Sequence, residues 1–336
     1  MSKEALFYKK ISGKIVQCEL CPHFCTLNYG EKGKCNVRVN QNGKLISLVY
    51  EKPCSIAMDF IEKKPLFHFL PGKKTLSIAT VGCNLKCKHC QNFEISHFNA
   101  STTKNFNVTS QDIIKNAIKN KSKIISYTYT EPTIFYEYML DICKEANKNK
   151  IRNVTVTNGF INQVPLKQLC KYLDASNIDI KSINNDFYEN VCSAKLSPVL
   201  ESIKTMKKEG VWIELTNLII PGFNDSEEDI VNLVMWIRNN LGEEIPLHFS
   251  AFFPCYKMLN VPVTPSKKVI RAREIALSLG LKYVYTGNID FEEGETTYCP
   301  DCNKALIIRK KYKVIENNLK KGKCSNCGKI IAGVWE

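Results

Sequence analysis

The sequence predicts an α/β chain with a parallel sheet at its centre, a cysteine-rich N-terminal segment before it and a zinc-ribbon-like domain after it. Two observations carry this expectation. Seven short segments rich in β-branched and aromatic residues alternate with amphipathic stretches, as strands buried on both faces and joined by helical crossovers do. Eleven of the 16 cysteines fall into three clusters, one before, one inside and one after that alternation. The implied boundaries are 1–72, 73–290 and 291–336.

The expected strands are 76–80, 124–129, 153–157, 176–180, 211–219, 246–251 and 282–286. A helix over 226–241 opens on Ser226 with Asp229 three residues on, a capping-box spacing. Ile230, Leu233, Val234, Ile237 and Leu241 share its apolar face, and Gly242 ends it. A helix from Ser266 closes at Gly280, and another covers 133–149. In the latter Cys143 falls on the face of Phe135, Met139 and Ala146, a core position, as does Cys170 beside Leu166 and Leu173. Repeated βα units call for right-handed crossovers. A closed or partial barrel accommodates so many units, and spacing leaves a doubly wound sheet open.

The balance of 47 basic against 33 acidic residues leaves a net charge of +14. The lysines are dispersed rather than interleaved with aromatics, so a solvated surface is expected over a specific nucleic-acid site. No run approaches the ~18 apolar residues of a membrane span, and the first ten residues do not read as a signal peptide. A soluble, cytoplasmic protein is expected, with its thiols reduced, and clustered cysteines there favour metal over disulfides.

The chemistry concentrates in Cys83-x3-Cys87-x2-Cys90, directly after the first strand. Three thiolates on a four-iron cubane leave one iron open for reaction. Gly82 would let the backbone bend tightly there. The pattern resembles the radical S-adenosylmethionine (SAM) superfamily, with His89 standing where an aromatic residue is usual. The resemblance implies an enzyme with a radical SAM partial (β/α) barrel, a 4Fe–4S cluster and SAM.

It extends to Thr130-Glu131-Pro132, matching the Gly-Gly-Glu-type motif, so Glu131 would accept the amino group of SAM. The alternative makes Glu131 a cap on the following helix. Asp179 and Lys181 at a strand end and His248 in HFSAF look like the SAM-contacting residues of glycyl-radical-enzyme-activating enzymes. A buried ion pair and a core histidine are their plainer readings. Longer strings, IEKKPLFHFLPG at 61–72 among them, are similar to AmmeMemoRadiSam-system enzymes, described as pyruvate formate-lyase-activating-like. That likeness implies an external electron donor and Memo-like and AMMECR-type partners. The substrate stays open between a small molecule and a protein, a protein glycine being the activase alternative, with RNA the less favoured class. Tyr127, Tyr129, Phe249, Phe252 and Phe253 are candidates for its pocket, about half of them expected in the core.

Cys299, Cys302, Cys324 and Cys327 form two CxxC pairs, read as a structural zinc site with rubredoxin-like iron as the alternative. Cys18, Cys21, Cys25 and Cys35 can enclose zinc or an auxiliary iron–sulfur cluster, a structural metal being the preferred expectation. His23 is a spare ligand candidate there.

Overall fold

The computed structural model describes residues 3–97 and 103–336. Eight strands form the central sheet: β1 (Pro53–Phe60), β2 (Lys74–Thr80), β3 (Ile124–Tyr127), β4 (Arg152–Thr157), β5 (Ala175–Asp179), β6 (Trp212–Ile219), β7 (Leu247–Ala251) and β8 (Val284–Gly287). They lie side by side in chain order, β1 antiparallel to β2 and all others parallel. The crossovers carry α1 (Ser110–Lys119), α2 (Tyr136–Lys148), α3 (Gln163–Cys170), α4 (Leu196–Lys208), α5 (Glu227–Leu241) and α6 (Ser266–Ser278). A doubly wound sheet reverses its strand order at a switch point. This one never does, so right-handed crossovers place every helix on one face.

The two faces differ accordingly. Ile78, Ile125, Leu215 and Leu247 point to the helices and join Met139, Ile203, Leu233 and Ala276 in one core. The concave face is apolar at the bottom, where Ile124, Val154, Ala175 and Trp212 meet Ile61, Leu66, Phe69 and Leu70. Residues 61–70 thus plug the floor. Val334 latches that plug, its N–H donating to His68 O at 2.7 Å and its carbonyl accepting from Leu70 N at 2.7 Å. Above the floor the concave face turns polar.

Local signals explain the helix ends. Ser226 Oγ accepts from Asp229 N at 3.1 Å, and Gly242 closes α5 at φ 88°. A full capping box, Thr109 with Asp112, opens α1. Before α2 the chain makes a 3-10 turn over Pro132–Phe135.

Residues before β1 build two three-stranded antiparallel sheets. After β8, strands Thr297–Tyr298, Ala305–Lys310 and Lys313–Asn317 form another. Arg309 ties it to the plug: fully buried, it donates to Phe67 O at 2.6 Å and lies 4.2 Å over the Phe67 ring. Among the described residues no helix is long and apolar enough to cross a membrane.

Candidate functional site

The C-terminal ends of the parallel strands surround a cavity of about 990 Å³. Cys83, Cys87, Cys90, Glu131, Asp179, Lys181 and His248 all line it. They come from five separate connections or strands, and the sheet brings them together.

Gly82 makes the turn into the cysteine loop at φ +108°. The loop is then clamped: Lys86 N and Lys88 N donate to Cys192 O at 2.9 Å and Val191 O at 3.0 Å, and Lys257 N donates to Lys88 O at 3.0 Å. Leu85 N and the Asn158 amide donate to Cys83 Sγ at 3.4 and 3.8 Å. Burial, then the Glu131 carboxylate, pushes the Cys83 thiol up. Cys87 is pushed up by its hydrogen bond with Cys192, then by burial. Uncharged thiols in a dry wall need a cation to draw off their protons, and a cluster's iron supplies it. The donor set therefore fits a cluster with three protein ligands. His89, in the place of the usual aromatic, is buried against Phe187 with ring centroids 6.0 Å apart.

Glu131 is buried, which raises its pKa, and hydrogen bonds oppose that rise. Oε1 accepts from Thr133 N at 3.0 Å, Thr133 Oγ1 at 2.6 Å and Thr157 Oγ1 at 2.7 Å. Oε2 accepts from Asn158 N at 2.8 Å. Glu131 thus caps the turn at Pro132. A carboxylate offers about four lone-pair directions, so the cap leaves Oε2 capacity toward the cavity.

Lys181 Nζ lies 3.0 Å from Asp179 Oδ2. Burial lowers the Lys181 pKa, but the Asp179 carboxylate, first among the opposing influences, outweighs it and holds the ammonium charged. The pair is a real ion pair and also a cavity wall. Asp179 stands in register with Thr216, and Thr216 with His248, so one row crosses β5, β6 and β7. His248 Nε2 is 2.7 Å from Glu214 Oε2. Glu214, fully buried, also accepts from Phe67 N at 2.9 Å and His68 N at 2.7 Å.

Sequence reading missed Cys192, which packs with Cys87 and His89, and Glu214, which orients His248. No spacing marks either; only the fold brings them in. Asn158 follows a strand and precedes a glycine, a signal that was there to use. Among the aromatic candidates Tyr129 lines the cavity, whereas Tyr127, Phe249 and Phe252 are core and Phe253 faces outward.

The C-terminal cysteines form a compact set, all sulfurs within 4.8 Å of one another. Cys299 and Cys327 sulfurs are 3.5 Å apart, and those of Cys302 and Cys324 3.6 Å. Hydrogen bonds, first from the Asn326 side chain, bring Cys302 down to about 6. One tetrahedral ion fits that space. His23, the spare ligand candidate for the N-terminal set, bonds Asn84 O through Nε2 at 2.7 Å.

Residues 77–234 match the Radical SAM superfamily model, from β2 into α5. Membership of that superfamily implies SAM and a 4Fe–4S cluster. The fold is similar to SuiB of Streptococcus suis bound to S-adenosylmethionine, with TM-score 0.52 and 15% identity over 68% of this chain and 53% of that one. It is similar also to a radical SAM methyltransferase from Sphaerobacter thermophilus, with TM-score 0.50 and 16% identity over 68% and 69%. Across its whole length the chain is 47% identical to the uncharacterised protein MJ0808 of Methanocaldococcus jannaschii, over 98% of both chains. It belongs to that protein's family, and within it residues 77–234, from β2 into α5, form a Radical SAM superfamily domain.

Proposed function

We propose that this protein reductively cleaves SAM at a 4Fe–4S cluster held by Cys83, Cys87 and Cys90. The observation that carries this reading is the convergence of those cysteines with Glu131, Asp179, Lys181 and His248 on one cavity wall. Cys83, Cys87 and Cys90 would hold the cluster, which, once reduced by an external donor, would supply the electron for reductive cleavage of a carbon–sulfur bond of SAM and so the means of hydrogen abstraction. The chain's own residues bind, orient and shield. Glu131 Oε2 accepts from the amino group of SAM. Lys181 and Asp179 present one charge of each sign to its amino-acid end, and Glu214 fixes the ring of His248 beside them.

The plugged floor excludes water from below, which keeps a reactive radical from being quenched. At 990 Å³ the cavity is at the top of the range for small-molecule sites, about 300–1,000 Å³. It has room for SAM and a small second molecule, which favours that substrate class over a protein glycine. Lys63, Lys64, Lys311 and Tyr312 line it as well, with Lys63 and Lys64 paired to Asp59 at 3.0 and 2.7 Å, and Glu62, Asp290 and Glu295 share that lining.

The test is anaerobic reconstitution followed by reduction with SAM. The wild type should show broad violet absorption and release 5′-deoxyadenosine, and Cys87→Ala should do neither. Full cleavage by Cys87→Ala would sink the assignment. Metabolite fractions, proteins and RNA compared as stimulants of release then rank the substrate classes.

A further inference from the structure

We propose that Cys18, Cys21, Cys25 and Cys35 bind a second iron–sulfur cluster, which passes electrons to the central one. The inference rests on reading Cys83, Cys87 and Cys90 as a cluster site, and it reverses the structural-metal expectation for the N-terminal set.

All four sulfurs are prepared as ligands. Two turns present them, Cys21–Phe24 and Gly33–Asn36, closed by Phe24 N to Cys21 O at 3.2 Å and Asn36 N to Gly33 O at 2.8 Å. Cys21 accepts from His23 N and Cys35 from Val37 N. Cys25 Sγ accepts from Lys34 N at 3.5 Å. Cys18 Sγ accepts from the Arg38 guanidinium at 3.5 Å. Arg38 is 1% exposed, is also paired with Glu137, and keeps a buried Nε with no partner. Each sulfur thus has an N–H donor aimed at it, the arrangement a metal-bound thiolate keeps.

The spacing separates iron–sulfur from zinc. Among the described residues, the compact thiol-bearing groups are the C-terminal four and Cys87 with His89 and Cys192. The N-terminal four do not close up in that way, and neither does the triplet Cys83, Cys87, Cys90. A single ion draws its ligands to one point, whereas each cysteine of a cubane holds a different iron. By that measure the N-terminal set goes with the central triplet and not with the C-terminal four.

Position supplies the role. A Cβ on Gly82 would stand 2.9 Å from Cys35 O and 2.7 Å from Val37 Cγ1, so the N-terminal module rests on the residue before Cys83. Standard backbone dimensions put the α-carbons of Cys35 and Cys83 on the order of 10 Å apart. His23 bonds Asn84 O at 2.7 Å, and Asn84 accepts at 3.0 Å from the same Asn158 amide that reaches Cys83 Sγ. In the step proposed, a low-potential one-electron donor protein reduces the N-terminal cluster by one electron. That cluster returns to its oxidised state as the central cluster is reduced. No bond breaks and no proton moves.

The full chain, purified anaerobically with iron and zinc both supplied, tests this. The expected content is roughly eight irons and one zinc per chain. With Cys83, Cys87 and Cys90 all replaced by Ala, roughly four irons should remain, with an electron paramagnetic resonance signal on reduction that SAM does not alter. In Cys21→Ser/Cys25→Ser, the SAM-responsive signal should persist. SAM cleavage driven by reduced flavodoxin should slow at least tenfold, and dithionite-driven cleavage less than threefold. Two zincs per wild-type chain and an iron-free triple variant would overturn the proposal. Cleavage surviving in the triple variant would instead overturn the reading of the central site. Should the double variant misfold, spin counting on reduced wild type still decides: about two spins per chain support the relay and one refutes it.

Discussion

Single residues here carry two duties, and substitutions separate them. Glu131 caps a turn with one oxygen and leaves the other toward the cavity. Glu131→Ala should therefore lose SAM affinity and also strand the Thr133 and Asn158 N–H groups, at about 1–3 kcal/mol of stability each. Glu131→Gln keeps an acceptor for Thr133 but turns an NH2 toward the Asn158 N–H, so it loses that bond as well as the charge. It should be destabilised by about 1–3 kcal/mol for that one N–H, less than Glu131→Ala, and bind SAM roughly ten- to a hundredfold more weakly, the worth of a charged hydrogen bond; equilibrium dialysis and thermal unfolding read the two effects. His68 is a second case. Burial brings its pKa down to about 4, while the unfolded chain titrates near 6.5. The unfolded state thus takes the proton first, and stability present above about pH 6.5 is lost as the pH falls towards 4. About 2 kcal/mol should go between pH 7 and 5 from this group alone. Urea unfolding at both values should show that slope in the wild type and a shallower one in His68→Gln.

At the scale of elements, the seven parallel strands and the ends of α5 were legible because periodicity and capping are local. The strand β1 was not. It pairs antiparallel with β2 and is half-buried along most of its length, so it shows neither the apolar run of a central strand nor clean alternation. Its neighbour, the plug 61–70, stood out only as a familiar string, since its apolar partners come from four distant strands. Gly82 was read correctly as a tight bend, but the close approach of Cys35 and Val37 behind it is a tertiary fact. Gly82→Ala should cost about 2–5 kcal/mol, from positive-φ strain plus overpacking. A lowered urea midpoint would show the loss, and faster proteolysis within residues 3–50 would locate it at the N-terminal module.

Across the whole molecule, the cavity residues were legible as motifs, but their supports were not, because Glu214 and Cys192 lie 34 and 105 positions from His248 and Cys87. The C-terminal module is coupled to the cavity through Arg309, so a metal held by its four cysteines should matter beyond its own fold. Cys299→Ser/Cys302→Ser should lower tightly bound zinc and speed hydrogen exchange after residue 297 and at Phe67, leaving the central iron in place; a fall in that iron would instead make the ribbon a cluster domain. The register row of Asp179, Thr216 and His248 has a metric consequence. Adjacent strands are about 4.8 Å apart, whereas same-face neighbours along one strand, such as Asn177 and Asp179, are roughly 6.7 Å apart. The wall is therefore a graduated rectangle with unequal rulings. A molecule laid across the strands meets polar groups at the finer interval, and one laid along them at the coarser. Turning a ligand through a right angle changes which of its atoms find a partner, so the pleat itself acts as a gauge of orientation.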